Sequence, residues 1–342
     1  MQGRVENERR MDEYLSEKLK DKPAYMTEYM KTFARKSYTT KRAYINYILE
    51  FIDYLKREYG YNINDIHVFA NVKPSIINGY LDYLNRLEYI APNGKLVRNG
   101  EGIQCRKFFA IKNFFKFLLN DEYITKNPCD NVEPPKVDNE AVDIVAMNKK
   151  EINLFLKNVL NGAGSKRAKA TQKKWRNRDY AIMTLALALG LRVTSISEIN
   201  VEDVDFENQT LTVTEKGNRT RKLMLSDNLV DTLQQWLEDR EEMLKGVGID
   251  CNAMFISCQK TRLTSKAIEN LVAKYSVGIE QHITPHKLRS TCATNVYTAT
   301  GDIYLTASVL GHRNIQNTKR YAKIVDEKKE KAMRAMDKII FG

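Results

Sequence analysis

Along the first third of the chain, apolar residues recur at helical spacing. Tyr44, Tyr47, Ile48, Phe51, Ile52 and Leu55 fall at i, i+3, i+4, i+7, i+8 and i+11, one stripe on a helix that Ser37 or Thr39 would start. Ile77, Tyr80, Leu81 and Leu84 repeat the pattern behind Pro74, a residue suited to a first helical turn. Phe108, Ile111, Phe115 and Leu118 draw a third stripe, and Met11–Leu19 could dock as a fourth segment. Such helices make a small bundle, and the positions between the stripes carry Lys31, Arg35, Lys36, Lys41, Arg42, Arg106, Lys107 and Lys112. These cations are expected on the outer faces.

The pattern then breaks. Pro128, Pro134 and Pro135 fall within eight residues, and proline fixes the backbone and removes a donor, so this stretch cannot continue a helix. The expected division is a helical domain over 1–125, a proline-rich linker over 126–145, a second domain over 146–325 and a terminal segment over 326–342.

Beyond the linker, Met147–Leu160 and Asn177–Leu189 read as helices, the second closed by Gly190. Between them lies a basic loop in which seven of the thirteen residues from Lys166 to Arg178 are Lys or Arg and none is acidic. Thr210–Thr214 and Arg219–Leu225 alternate around Lys216-Gly217-Asn218, a hairpin signal. Helices are expected again at Asp227–Leu244, Ser265–Val277, Thr284–Thr300 and Ile303–Leu310. A last one, Asp326–Ile340, places Met333, Met336 and Ile340 on one face. The fold class is therefore mainly α with a small antiparallel β-sheet, an α+β arrangement.

Charge narrows the choice of partner. The 342 residues hold 55 Lys+Arg against 43 Asp+Glu, a net +12, which favours a polyanion, either nucleic acid or an acidic membrane surface. No run approaches the ~18 apolar residues of a membrane span, and MQGRVENERR lacks an apolar signal core, so a cytoplasmic protein is expected. Five cysteines at irregular spacings, with no CxxC pair, read as reduced structural thiols.

Four short pieces carry candidate chemistry. Arg192 in Gly190-Leu191-Arg192 sits just past a very apolar helix, where it either complements the helix dipole or faces an anion. Lys216 lies at the tip of TVTEKGNRTRKLML, where a lysine is ordinarily only solvated. In Thr284-Pro285-His286-Lys287-Leu288-Arg289, threonine can cap a helix whose first turn presents His286 and Arg289 as i, i+3 neighbours, a pair suited to an anion. His282 precedes His286 by four residues, but no HExxH glutamate accompanies them and no metal site is expected. Leu310-Gly311-His312, with Tyr321 nine residues on, reads locally as a helix-turn-helix.

Taken together, Arg192, Lys216, His286, Arg289, His312 and Tyr321 occur in the order and approximate spacing of the tyrosine recombinases, the phage-integrase and Xer-like enzymes, which this sequence resembles over nearly its whole length. The resemblance implies attack by the Tyr321 hydroxyl on a DNA phosphodiester, leaving a 3′-phosphotyrosyl link with no metal or other cofactor. Arg192 and Arg289 would grip the non-bridging oxygens, with His312 as a third donor. His286 would serve as base, and Lys216 would protonate the leaving 5′ oxygen. It also implies a helical core-DNA-binding domain and a catalytic domain closing on a duplex like a clamp, and four protomers on two sites, joined through the C-terminal segment. That segment could equally fold back on its own domain.

DNA contacts are expected from Lys41, Arg42, Arg106 and Lys107 on the bundle and from Lys166, Arg167, Lys169, Lys173, Lys174 and Arg176 in the basic loop. Double-stranded recombination sites are thus the expected partner, with accessory DNA-binding proteins as further partners and no membrane. Only about 25 residues precede the first clear helix, too few for the arm-binding domain of larger integrases, which favours a simple Xer-like or mobile-element enzyme. Two other readings stand beside this one: a type IB topoisomerase or telomere resolvase with the same chemistry, and a non-catalytic helix-turn-helix regulator.

One position departs from the family. Many members carry an acidic residue three positions after the first arginine, where this chain has Ser195. Glu198, one turn on, could replace it, but Ser195-x-x-Glu198 is also a capping-box pattern that would start the next helix.

Overall fold

The computed structural model describes residues 13–34, 36–90, 94, 96–136, 146–215, 219–248, 251–312, 314–316, 318–319, 321, 330, 333–334, 336–337 and 339–340. The chain divides into two compact units, Met1–Asn139 and Glu140–Gly342, each with its own core.

The first unit is a helical bundle. Residues 13–19 are helical, followed by α1 (Ala24–Lys31), α2 (Tyr38–Tyr59), α3 (Pro74–Arg86) and α4 (Glu101–Asn120). Ser37 takes the N-cap position of α2, and Gly60 ends it in the left-handed conformation that costs glycine nothing. Pro74 opens α3. A two-stranded antiparallel ribbon, β1 (Glu88–Ile90) with β2 (Leu96–Arg98), joins α3 to α4 and had no clear signature in the sequence.

The core these helices enclose is aromatic. Tyr29 meets Phe114 at 5.1 Å and Phe33 at 5.0 Å, Phe69 meets Phe114 at 5.1 Å, and Phe51 meets Tyr80 at 5.0 Å, all edge-on. Edge contacts set the positive rim of one ring against the negative face of another, worth about 0.5–1.5 kcal/mol per pair beyond burial.

Two expectations change here. Lys107 does not face outward: it is buried on α4 and its Nζ lies 2.6 Å from Glu50 Oε1 on α2. The reason is spacing, since Gln104, Lys107, Ile111, Phe114 and Leu118 form a stripe of their own that widens the buried face beyond Phe108, Ile111 and Phe115. The linker also begins later than its prolines suggest. Pro128–Asn131 is a short 3₁₀ turn in which Asn127 accepts from Cys129 N and donates to Lys112 O, and Pro128, Cys129 and Val132 are buried. The first proline therefore completes the bundle, and residues 137–145 lie outside the described ones.

The second unit runs α5 (Lys149–Asn161), α6 (Lys166–Lys173), α7 (Arg176–Leu189), α8 (Val193–Glu198), the three-stranded antiparallel sheet β3 (Val204–Asp205), β4 (Thr210–Glu215), β5 (Arg219–Met224), then α9 (Asp227–Leu244), α10 (Ser265–Tyr275), α11 (Pro285–Thr300) and α12 (Ile303–Leu310). Helix α7 is central, packing against α5, α9 and α11. It buries residues on all sides, including Arg178 and Asp179.

The expected basic loop is helical from Lys166 to Lys173. Ser165 caps it by accepting from Ala168 N, and Gln172 clasps both backbone groups of Ala163. No apolar periodicity announced α6, because none of its residues is buried. A charged helix capped and tied from one end leaves no stripe to read. Arg178, at the end of the basic run, is withdrawn from it: it pairs with Asp179, donates to Ile256 O and stacks on Trp175.

Candidate active site

The second unit contains a cavity of about 810 Å³ whose wall includes Arg192, His286, Arg289, His312 and Tyr321. Five residues separated by up to 129 positions thus meet at one place. Lys216, with Gly217 and Asn218, lies outside the described residues, between the ends of β4 and β5.

Each side chain is delivered by a chain feature with a physical cause. Helix α7 stops at Gly190 with φ +59°, and a Cβ there would lie 2.6 Å from Leu310 Cδ2 and 3.2 Å from Cys292 Sγ. Only glycine fits both the backbone turn and the space. The turn sends Leu191 into the core and leaves Arg192 half-exposed at the N-cap of α8.

Thr284 Oγ1 accepts from Lys287 N and starts α11, with Pro285 at its first position. This puts His286 at the exposed rim and turns Arg289 inward. Arg289 donates Nη1 to Gly190 O and Nη2 to Leu310 O, the latter at 2.6 Å, so it bridges the ends of α7 and α12. Burial, then the like charge of Arg192, pushes its guanidinium down to about 10, which leaves it cationic at neutral pH. Tyr321 and Glu215 act in the opposite sense, holding the charge in place.

Helix α12 is capped by Asp302, which accepts from the backbone of Tyr304 and Leu305, and closes on Gly311 at φ +65°. His312 follows, its Nδ1 2.8 Å from Thr318 Oγ1, and its ring lies parallel to that of Tyr321 at 6.4 Å. Tyr321 is buried beside Cys292, Ala293 and Leu310. A mere helix-turn-helix would place that tyrosine with no regard to the arginines; here it shares a wall with them.

The Ser195-x-x-Glu198 capping box is not formed. Helix α8 begins at Val193, Ser195 lies inside it and donates to Thr214 O at 3.0 Å, and Glu198 ends the helix in an exposed position. Glu198 therefore does not buttress Arg192. Glu215 does: its Oε1 is 3.7 Å from Arg192 Nη1 and 3.1 Å from Arg221 Nη2. Sequence reading missed both Glu215 and Arg221, though each flanks the hairpin tip that drew attention to Lys216.

Among the expected DNA contacts, Arg42, Arg106, Lys166, Arg167, Lys169, Lys173, Lys174 and Arg176 are exposed and Lys41 is half-exposed. Met333, Met336 and Ile340 are also exposed, joined by Ile339. His282 and the Lys266–Glu269 ion pair also line the cavity. Among the described residues no group of three His, Cys, Asp or Glu side chains is placed to hold a metal, and no helix is long and apolar enough to cross a membrane.

A mainly helical unit thus gathers two arginines, two histidines and a tyrosine about one cavity, and its sequence places that unit in a known family, the phage integrases. Residues 146–328, more than half of the chain, match the phage integrase family. The chain belongs to that family and is a tyrosine recombinase. It is 27% identical to the tyrosine recombinase XerS of Streptococcus agalactiae over 339 residues, 91% of this chain and 94% of that one. Over 226 residues, 66% of this chain and 69% of the relative, it is 28% identical to the tyrosine recombinase XerC of Alcanivorax borkumensis.

Solved structures agree on the fold. The XerH site-specific recombinase bound to palindromic difH substrate, a post-cleavage complex, matches with a TM-score of 0.64 at 19% identity, covering 89% of this chain and 82% of that one. A lambda integrase dimer bound to a COC′ core site matches at 0.61 and 16%, covering 87% and 94%.

Proposed function

We propose that this recombinase exchanges DNA strands at a specific duplex site through a covalent 3′-phosphotyrosyl intermediate. The observation that carries the reading is the meeting of Arg192, His286, Arg289, His312 and Tyr321 on one cavity wall. The Tyr321 hydroxyl attacks the scissile phosphorus, its proton passing to His286. The Tyr321 O–P bond forms, the P–O5′ bond breaks, and Lys216 supplies the proton that the 5′ oxygen takes. Religation to a second strand runs the same steps backwards, so the bond energy is kept and neither nucleotide nor metal is consumed. Arg192 and Arg289 act where charge builds on the non-bridging oxygens, and His312 adds a donor. Arg289 is held to two carbonyls before DNA arrives, so it needs no reorganisation at the moment of reaction.

The same proposal covers the partners. Each unit contacts the duplex. The exposed cations Lys41, Arg42 and Arg106, and those of α6 with Lys174 and Arg176, contact phosphates. Protomers assemble as tetramers on paired sites through the apolar face of Met333, Met336 and Ile340, which is exposed on the single chain. Accessory DNA-binding proteins join that assembly, and the work is done on DNA in the cytoplasm. The similar structures of XerH bound to difH and of lambda integrase bound to a core site support a DNA site as partner.

The test is trapping on a nicked duplex that releases a short strand once cut. Wild type forms a covalent protein–DNA adduct in excess EDTA, and Tyr321→Phe binds the site but forms none. Adducts from Tyr321→Phe, or a strict need for a divalent metal, overturn the reading.

A further inference from the structure

Three arginines stand close together at this site, two of them on the cavity wall. Arg192, Arg221 and Arg289 lie close enough to oppose one another's charge. Arg289 is fixed by two carbonyls, and Arg221 by Ser308 O at 2.8 Å and Val309 O at 2.6 Å, at the end of α12. Among the described residues, the half-exposed Arg192 is anchored by one carboxylate instead.

That carboxylate is Glu215. It ends β4, is largely buried, and its Oε1 faces both Arg192 and Arg221. It also lies over the turn before His312, since a Cβ on Gly311 would come 2.4 and 2.6 Å from its two oxygens. Gly311 is favoured by its φ of +65°, and a side chain there would displace the carboxylate above it. Glu269, the carboxylate that lines the cavity itself, is paired with Lys266. Ser195 donates to Thr214 O, next to Glu215 in the chain.

We propose that Glu215 is the positioning carboxylate of this site: it orients Arg192 directly and, through Arg221 and Gly311, ties the hairpin strand to the α12 end that presents His312. It touches no reacting atom. One negative charge among three guanidinium groups leaves the cluster net positive for a phosphate, while the ion pair restricts the Arg192 side chain. The strand that ends at Glu215 leads straight into Lys216, so the anchor of the arginine and the root of the lysine hairpin are the same residue and its neighbour.

This assignment rests on the phosphotyrosyl reading above, and the experiment separates the two. Wild type, Tyr321→Phe, Glu215→Gln and Glu215→Asp are compared in single-turnover cleavage at saturating DNA, with site affinity and thermal melting measured alongside. Two substrates are used, one with an ordinary scissile phosphate and one with a methylphosphonate there, which lacks the non-bridging charge that Arg192 would answer.

Glu215→Gln is expected to cleave the ordinary substrate about 10–100-fold more slowly, as for loss of a group that orients a first-contact residue. Affinity should stay within roughly threefold, since the phosphate contacts along the flanking duplex are untouched. Glu215→Asp should recover part of the rate, and the penalty of both variants should shrink on the methylphosphonate. If Glu215→Gln does not fold, Glu215→Asp carries the test alone: slower cleavage, with the same relief on the methylphosphonate.

Wild-type rates in the variant that folds, or an equal penalty on both substrates, overturn the Glu215 assignment and leave the nucleophile standing. Adducts from Tyr321→Phe overturn the underlying reading.

Discussion

The two units bury different things. The first encloses rings: Tyr29, Phe51, Phe69, Tyr80, Phe114 and Phe115 are fully buried, and the one buried cation among its described residues, Lys107, is answered at once by Glu50. The second buries mostly aliphatic side chains and threads charge through them at Arg178, Asp179, Arg240 and Arg289. Each of those arginines is tied to main-chain oxygens: Arg178 to Ile256, Arg240 to Ala253 and Cys251, Arg289 to Gly190 and Leu310. Arg178, Arg240 and Trp236, which donates to Met254 O, satisfy the carbonyls of one buried segment, whereas Arg289 opens onto the cavity.

The difference teaches where stability is spent. Rings pack without directional demands and give the first unit a scaffold. Burying a guanidinium costs free energy, and the lowered ionisation of Arg289 is the sign of that cost. Because its folded value lies below its ordinary one, this charge opposes folding throughout the range below about 10, and the opposition fades only as pH rises from there toward the unfolded value. The second unit accepts it to keep a fixed cation on the cavity wall, where the proposed mechanism places a phosphate.

Substitutions in each core should therefore fail in different ways. Arg289→Met is expected to slow single-turnover cleavage by about 10²–10³-fold, the range for loss of a preorganised donor. Its stability should change by less than about 1.5 kcal/mol, because two lost hydrogen bonds of roughly 1 kcal/mol each are offset by relief from burying a cation. Phe114→Ala should do the reverse, costing the first unit about 3–5 kcal/mol in denaturant unfolding. Cleavage at saturating DNA below the new melting point should stay near wild type. A large stability loss from Arg289→Met would erase the contrast.

Gly190→Ala sharpens it at the boundary between fold and function. The added methyl meets Leu310 and Cys292, and the left-handed backbone is strained, so a loss of about 1–3 kcal/mol is expected. Because Gly190 O is also an acceptor for Arg289, cleavage should fall with it, read as a drop in both melting temperature and single-turnover rate.

The smallest effect separates two neighbours on α4. Arg106 is exposed and Lys107 is buried against Glu50. Arg106→Ala should lower the slope of log affinity against log salt by about one, while Lys107→Met leaves that slope unchanged. Equal slopes for both variants would return Lys107 to the DNA face.

Much of this was legible in the sequence, for reasons that differ by element. The stripes of α2 and α3 and the alternation of β4 and β5 reflect one-sided burial, which leaves a period. Gly190, Thr284 and Gly311 mark the turns that aim Arg192, Arg289 and His312, because glycine and threonine have local reasons to sit there. What stayed hidden was set by tertiary partners. Helix α6 buries nothing, the ribbon of β1 and β2 is short, and Lys107 looked solvated until Glu50 came to meet it. Glu215 was equally invisible, since a glutamate beside a hairpin tip is ordinary until Arg192, Arg221 and Gly311 close around it.

The central claim is that the tyrosine beside these arginines is the nucleophile. The direct measurement is to trap the adduct on a nicked duplex in excess EDTA, digest it, and locate the nucleotide by mass spectrometry. The expected result is a 3′-phosphate carried by the peptide containing Tyr321, on the side-chain oxygen. A nucleotide on any other residue, or no adduct without a divalent metal, would contradict the account.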